Sequence, residues 1–190
     1  LERMYIRQAV SNFESFKNHV SVLFWSLGNE SYAGDILVEM NRYYKEKRSG
    51  QTCALRGRGR EPAYEDLISD MESQMYAPPE KIKEYLENNP KKPFILCEYM
   101  HDMGNSLGGM ESYIRLLDQY EDYQGGFIWD YIDQALFVKD EVTGRDVLRY
   151  GGDFDDRPSD YEFSGNGILF ADRTEKPAMQ EVRHYYGLRR

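Results

Sequence analysis

Cysteine is scarce. The 190 residues hold two, Cys53 and Cys97, too few for a disulfide framework and not in a spacing that metal-binding thiolates use. Cys97 lies inside an apolar run and reads as a buried thiol, which points to a reducing, cytoplasmic compartment. Positive charge is in deficit as well: 24 Lys and Arg against 33 Asp and Glu leave a net charge of −9. A nucleic-acid partner calls for a basic face and an anionic membrane for a polybasic segment, so neither partner is expected. No apolar run nears the roughly 20 residues that cross a bilayer. No cationic stretch followed by an apolar one marks a signal peptide. Histidine amounts to 3 residues. No cluster of His and carboxylates has a complete metal spacing, and His19 and His184 read as surface or packing residues.

What the chain does have is apolar runs that end in an acid. Trp25-Ser26-Leu27-Gly28-Asn29-Glu30 and Ile95-Leu96-Cys97-Glu98 are the clearest, and Phe127-Ile128-Trp129 ends in Asp130. A buried strand that delivers a carboxylate at its C-terminal tip is how a parallel α/β barrel builds a catalytic site.

Periodicity places these runs in an alternating order. Tyr5, Ala9, Phe13 and Phe16 fall at helical spacing after Leu1. Val20 to Trp25 is nearly continuous in apolar residues, which predicts a strand covered on both faces. Ile36, Leu37, Met40, Tyr43 and Tyr44 share a helical face over Asp35 to Lys47, with Ser49-Gly50 as the stop. Thr52 to Leu55 reads as a short strand, followed by a solvated basic loop from Arg56 to Arg60. Ser73 to Tyr76 is a weak strand. Glu80 to Asn88 is a helix with Ile82, Tyr85 and Leu86 inward, and Phe94 to Cys97 a buried strand. Met110, Tyr113, Ile114 and Leu117 mark another helix, and Gly125-Gly126 open the third buried run. Ala178, Val182, Tyr185 and Tyr186 form a closing helix with Pro177 in its first turn.

Helix–strand alternation predicts a parallel sheet of βαβ units. Residues 131–172 break the rhythm and read as a loop-rich excursion. About five strand slots are present against the eight of a complete (β/α)8 barrel, which takes about 250 residues. The expected architecture is therefore α/β: the C-terminal portion of a TIM barrel, occupying residues 1–190.

Two strand-tip carboxylates suit glycoside hydrolysis. Carboxyls about 5–5.5 Å apart give retention, one as nucleophile and one as acid/base, and about 6.5–9.5 Å gives inversion. Asn29 is placed to hydrogen-bond a sugar hydroxyl beside Glu30. A chain this acidic also puts carboxylates at strand ends without chemical purpose, so spacing alone leaves paired catalysis and solvated acids side by side. By position alone Trp129 is more often a core residue than a sugar platform.

These residues resemble the β-galactosidases of glycoside hydrolase family 2. The resemblance is strongest in Ser21 to Ser31, Pro93 to Gly109, Gly125 to Leu136 and Gly165 to Arg173. Its most specific part is Cys97-Glu-Tyr-Met-His-Asp-Met-Gly-Asn-Ser-Leu-Gly-Gly109. The Asn29-Glu30 pair alone is shared with related glucuronidases and mannosidases. The resemblance implies a retaining double displacement on terminal β-D-galactosides. Glu30 matches the acid/base and Glu98 the nucleophile. Tyr76 matches the tyrosine whose hydroxyl contacts the nucleophile. Asn29 and His101 match sugar-binding residues, and Trp129 the aromatic floor beneath the sugar. Phe163, through its carbonyl, and Asn166 match ligands of a sodium ion that touches the sugar, and Glu30 matches one ligand of a magnesium ion. A homo-oligomeric parent enzyme is implied too.

The same resemblance marks what this chain does not contain. The first strands of the family's barrel, its flanking β-sandwich domains, the remaining carboxylate and histidine ligands of magnesium and the acidic ligand of sodium have no counterpart. Val20 stands where the family usually has proline. Cys53 to Arg60 replaces a His-Tyr-Glu-Gly-like strand, and normal strand pairing is not expected there. The chain therefore reads as part of a β-galactosidase with little activity by itself. The alternative is a non-catalytic barrel fragment, or a carbohydrate-binding piece that acts only with a complementary segment such as the missing N-terminal part of the barrel.

Overall fold

The computed structural model describes residues 2–47, 52–57 and 62–187. In chain order the elements are α1 (Glu2–Phe16), β1 (Phe24–Ser31), α2 (Asp35–Lys47), β2 (Thr52–Gly57), α3 (Pro62–Ile68), β3 (Glu72–Met75), α4 (Pro79–Glu87), β4 (Phe94–Tyr99), α5 (Met110–Gln119), β5 (Tyr123–Ile128), β6 (Leu136–Lys139), β7 (Asp146–Arg149), a short 3-10 helix (Tyr161–Ser164) and α6 (Met179–Gly187). Ser49-Gly50 and the end of the basic loop at Arg58 to Arg60 lie outside the described residues.

β1 pairs with β2 in parallel, and β3, β4 and β5 are neighbours in that order. The direction in the second sheet follows from its backbone bonds. Glu72 N–H donates to Pro93 O (2.9 Å) and Tyr76 N–H to Glu98 O (2.9 Å), so both strands advance together. Phe94 N–H to Asp122 O (2.7 Å) and Trp129 N–H to Tyr99 O (2.9 Å) show the same for β4 and β5. Parallel neighbours joined by helical crossovers are the predicted βαβ arrangement.

The chain divides into two compact units. The first comprises Leu1–Met75, Ile82–Cys97 and Asp122–Gln124; the second comprises Tyr76–Lys81, Glu98–Glu121 and Gly125–Arg190. In the first, Ala9 and Phe13 of α1, Trp25 and Leu27 of β1, Leu37, Met40 and Tyr44 of α2 and Ile68 of α3 form one buried cluster. Trp25 stacks on Tyr44 with ring centroids 5.1 Å apart, and Phe13 lies 5.4 Å from Trp25. These are the residues that helical and strand periodicity place on one face. Elsewhere in this unit Phe94, Ile95 and Leu96 are buried in succession, with Ile82 and Leu86 of α4 also buried. A run buried at consecutive positions is what a parallel strand covered on both faces requires.

In the second unit Met110, Ile168, Leu169 and Val182 form the core. Gly109 precedes α5 in a left-handed conformation (φ 73°) and offers no side-chain cap. The Met110 N–H donates instead to Glu181 Oε1 of α6 (2.7 Å), so a carboxylate satisfies a helix N-terminus that would otherwise lack a partner.

Several expectations change. Val20 and Leu23 are 95% and 64% exposed, and β1 starts only at Phe24. Residues 19–22 form a turn, with Val22 N–H bonded to His19 O (3.1 Å), and within β1 Trp25 and Leu27 are buried while Ser26 is exposed. The strand therefore buries one face, as alternation dictates, instead of two. Phe127 and Trp129 are also exposed, so the run after Gly125-Gly126 is not a buried one. Cys97 is half-buried, not buried. The divergent stretch pairs, though not regularly, as expected: Thr52 to Gly57 aligns with Phe24 to Ser31 with two shifts of register. The segment 131–172 contains the antiparallel β6–β7 hairpin and a 3-10 helix, elements too short to leave a periodic signal. Pro177 sits just before α6 instead of inside its first turn.

Leu96 is fully buried and Val142 is 93% exposed. Leu96→Ala is expected to cost about 2–5 kcal/mol through lost contacts and a residual cavity, whereas Val142→Ala stays within about 0.5 kcal/mol. Urea unfolding of the two variants checks this; equal midpoints would contradict the assigned core.

Candidate active site

Glu98 is the penultimate residue of β4, one step before the fully packed Tyr99. Alternation along the strand sends their side chains to opposite faces. Tyr99 is buried, with its hydroxyl 2.8 Å from that of Tyr186 and its ring 5.5 Å from Tyr113. Glu98 keeps partial exposure and meets Tyr76, which directly follows β3 in a left-handed conformation (φ 51°). The Tyr76 phenol donates to Glu98 Oε2 at 2.7 Å, and the backbone bond between the same two residues fixes their register.

Around this pair the second unit assembles an aromatic and polar surface. The His101 ring lies 5.6 Å from that of Tyr76 and 6.0 Å from that of Phe163, both edge-on. Trp129 is bracketed by two backbone bonds: its N–H donates to Tyr99 O, and its carbonyl accepts from Asp102 N–H (2.9 Å each). Trp129 remains 37% exposed and Phe163 56% exposed, so both present ring surface to a ligand. Asn166 is buried; its Nδ2 donates to the Phe163 carbonyl, while its Oδ1 has no hydrogen-bond partner among the described residues. The structure thus brings Tyr76, Glu98, His101 and Phe163 into one chain of contacts and places Asn166 against Phe163. Glu30 and Asn29 belong to the first unit, exposed near the end of β1.

The tip of β1 is irregular. The strand continues past Gly28 to Ser31, and its register against β2 shifts between Ser26 and Asn29 and again between Asn29 and Ser31. Such bulges re-aim side chains. The left-handed residue is Glu30 itself (φ 48°), a conformation uncommon outside glycine, asparagine and aspartate.

The metal expectations fare differently. A buried amide oxygen without a partner is costly unless something fills its lone pairs. Asn166 Oδ1 beside the Phe163 carbonyl is a neutral oxygen pair of the kind a hard monovalent cation takes, so sodium fits these residues. The described residues contain no group of three His, Cys, Asp or Glu disposed to hold a metal ion. The magnesium that the resemblance implies at Glu30 therefore has no complete ligand set among them.

Three charged residues that sequence reading missed lie in the same unit. Lys176 Nζ donates to Asp133 Oδ1 at 2.8 Å, and both side chains are largely buried. Asp102 is 2% exposed, and its Oδ2 has no hydrogen-bond partner among the described residues. Burial pushes the Asp102 carboxyl above the usual carboxylate range; Asp133 adds to the rise, while Lys176, the Leu107 N–H and His101 pull the other way. Asp133 and Lys176 are 43 residues apart, and no local pattern links them. Asp102 beside His101 was visible but carried no signal of burial.

The family profile described as "Glycosyl hydrolases family 2, TIM barrel domain" matches residues 1–189. The chain belongs to glycoside hydrolase family 2. It is 68% identical over 186 residues to the β-galactosidase large subunit of Latilactobacillus sakei, covering 98% of this chain and 30% of that protein. It is 55% identical over 185 residues to a β-galactosidase of Halalkalibacterium halodurans, covering 97% of this chain and 18% of that protein. The chain thus spans well under half the length of these relatives. Among solved structures, a family 2 member from Bacteroides cellulosilyticus superposes with a TM-score of 0.67 at 14% identity, over 97% of this chain and 22% of that one. A β-glucuronidase from an uncultured Clostridium sp. gives 0.60 at 18% identity, over 98% and 36%. These structural likenesses show the α/β fold of the family. Among the described residues no helix is long and apolar enough to cross a membrane.

The raised Asp102 carboxyl makes stability depend on pH. A carboxyl whose folded-state pKa exceeds its unfolded value carries no penalty when both states are protonated. Stability falls as pH rises from the unfolded value toward the folded one, because the unfolded state ionises while the folded state still holds its proton, and it levels off above the folded value. Asp102→Asn cannot ionise. Its stability relative to the parent should therefore improve as pH rises from about 4, the ordinary carboxylate value, and then level off once the folded-state carboxyl ionises. Urea midpoints from about pH 4 to about pH 8 check this; a constant difference would show that Asp102 does not titrate abnormally.

Proposed function

We propose that the full-length protein hydrolyses terminal non-reducing β-D-galactose residues with retention of configuration, and that Glu98 is its nucleophile. The observation that carries this reading is the Tyr76–Glu98 hydrogen bond (2.7 Å) at the tips of parallel strands. It stands within the Cys97–Gly109 motif of a family 2 chain. The names of the relatives support galactosides as the substrate class.

The chemistry assigned to the residues is a double displacement. Tyr76 occupies Oε2 of Glu98 and turns the carboxylate so that an oxygen lone pair is free to attack the anomeric carbon. As the Glu98–carbon bond forms, the bond to the aglycone oxygen breaks, and Glu30 gives that oxygen its proton. Water then loses a proton to Glu30 and attacks the same carbon, releasing Glu98 and leaving galactose in its original configuration. His101 and Asn29 hold sugar hydroxyls. Trp129 supplies an apolar ring against the C–H face of the sugar.

Phe163, through its carbonyl, and Asn166, through Oδ1, would hold the sodium ion, whose charge when bound orders a sugar hydroxyl. The unpartnered oxygen of Asn166 supports that assignment. The large-subunit names of relatives from Latilactobacillus sakei and Lactobacillus helveticus support an assembly in which this protein pairs with a smaller chain.

In the full-length protein Glu98→Gln is expected to abolish turnover of an aryl β-galactoside. Glu30→Gln should slow hydrolysis of substrates with poor leaving groups about 10²–10⁴-fold, the usual worth of general acid catalysis, with a much smaller effect on activated aryl galactosides. Steady-state kinetics with both substrate types decides the assignment. Undiminished turnover by Glu98→Gln would overturn it.

A further inference from the structure

The segment that carries Phe163 and Asn166 spends almost every backbone acceptor it has. The Ser164 carbonyl accepts from Gln134 N–H (2.8 Å), and the Asn166 carbonyl from Asp130 N–H (2.7 Å). The Gly165 carbonyl accepts from Lys176 Nζ at 3.2 Å. The Phe163 carbonyl accepts from Asn166 Nδ2. Asn166 Oδ1 alone is left buried without a partner. The next residue is clamped as well: Gly167 N–H donates to Asp133 Oδ1 (2.8 Å), the oxygen that also takes Lys176 Nζ (2.8 Å). A Cβ on Gly167 would come within 2.2 Å of the Asp133 backbone nitrogen, so glycine is required for this approach.

One ion pair therefore grips the segment at two successive points, through the Gly165 carbonyl and the Gly167 N–H, on either side of Asn166. Lys176 also faces the Phe170 ring at 5.6 Å. An uncompensated ammonium this close to a cation site would repel the cation. Asp133 cancels its charge, and Asp102 lies near enough to interact electrostatically with Lys176, Asp133 and His101.

We propose that the buried Lys176–Asp133 pair is the positioning element that shapes the Phe163–Asn166 segment to receive a sodium ion. Neither residue touches the cation. Lys176 and Asp133 act by committing neighbouring donors and acceptors, so that the Phe163 carbonyl and Asn166 Oδ1 are the oxygens that turn to it. The proposal rests on the sodium assignment made above.

The test is sodium affinity measured apart from activity, in the full-length protein. Sodium NMR line width is titrated with sodium chloride, choline chloride holding the ionic strength, and thermal denaturation is recorded alongside. The parent should show saturable binding. Lys176→Met should raise the sodium concentration at half-saturation about 10–100-fold, the usual effect of losing a residue that orients a ligand. Lys176→Arg, which keeps charge and donors, should recover most of the affinity. Asp133→Asn, isosteric and still able to accept the Gly167 N–H, should weaken binding in the same direction and carries the test where Lys176→Met does not fold. Folded Lys176→Met and Asp133→Asn with the parent's affinity would overturn the proposal while leaving the sodium assignment intact. A parent with no saturable sodium binding would overturn that assignment, and this proposal with it.

Discussion

Tyr76 and Glu98 are joined twice, by backbone N–H to carbonyl and by phenol to carboxylate, and the rest of the candidate site depends on that double link. A backbone bond between parallel neighbours sets which residues stand opposite. The side-chain bond then converts register into chemistry, because a carboxylate with one oxygen occupied has a defined orientation for the other. Everything that fixes β3 against β4 serves this geometry. The consecutive burial of Phe94, Ile95 and Leu96 anchors β4 on both faces, so that the strand can present a polar residue where its packing ends. Tyr99, packed against Tyr113 and Tyr186, closes the opposite face directly after the acid.

Beyond the strand tips, the second unit is organised less by apolar burial than by polar accounting. Its core of Met110, Ile168, Leu169 and Val182 lies beneath a segment whose carbonyls are matched to donors one by one. Trp129 is held by the backbone on both sides while its ring stays exposed, which is how a platform can be rigid and still open to a ligand. The Lys176–Asp133 pair continues the same logic at a buried position. Such pairs are poor sources of net stability, and their value here lies in what they orient.

Much of this was legible where one physical period dominates. The helical stripe of Ile36, Leu37, Met40 and Tyr44, the apolar run of β4, and the inward Ile82 and Leu86 of α4 all take the places that spacing assigns. Legibility failed where an apolar run was read as burial. Val20 and Leu23 sit in and beside a turn, and Phe127 and Trp129 lie on an open surface, because hydrophobicity alone does not say which face of a strand has a neighbour. It failed also where contacts join distant positions: nothing local connects Asp133 to Lys176, and the hairpin of β6 and β7 is shorter than any window that would reveal it. Glu30 and Glu98 stood out as acids after apolar runs. The partnership of Glu98 with Tyr76 needed first the family resemblance and then the geometry. The left-handed backbone at Glu30 is a conformational choice that residue type does not announce.

The central claim is that Glu98 forms a covalent bond to the sugar, and the most direct measurement is to trap it. A 2-deoxy-2-fluoro-β-galactoside with a good leaving group, incubated with the full-length protein, slows the second displacement by destabilising its cationic transition state. Peptide mass spectrometry then locates the adduct. The account predicts a single fluorogalactosyl group esterified to Glu98. An adduct on another carboxylate, or continued turnover of this substrate with no covalent species at any time, would contradict it.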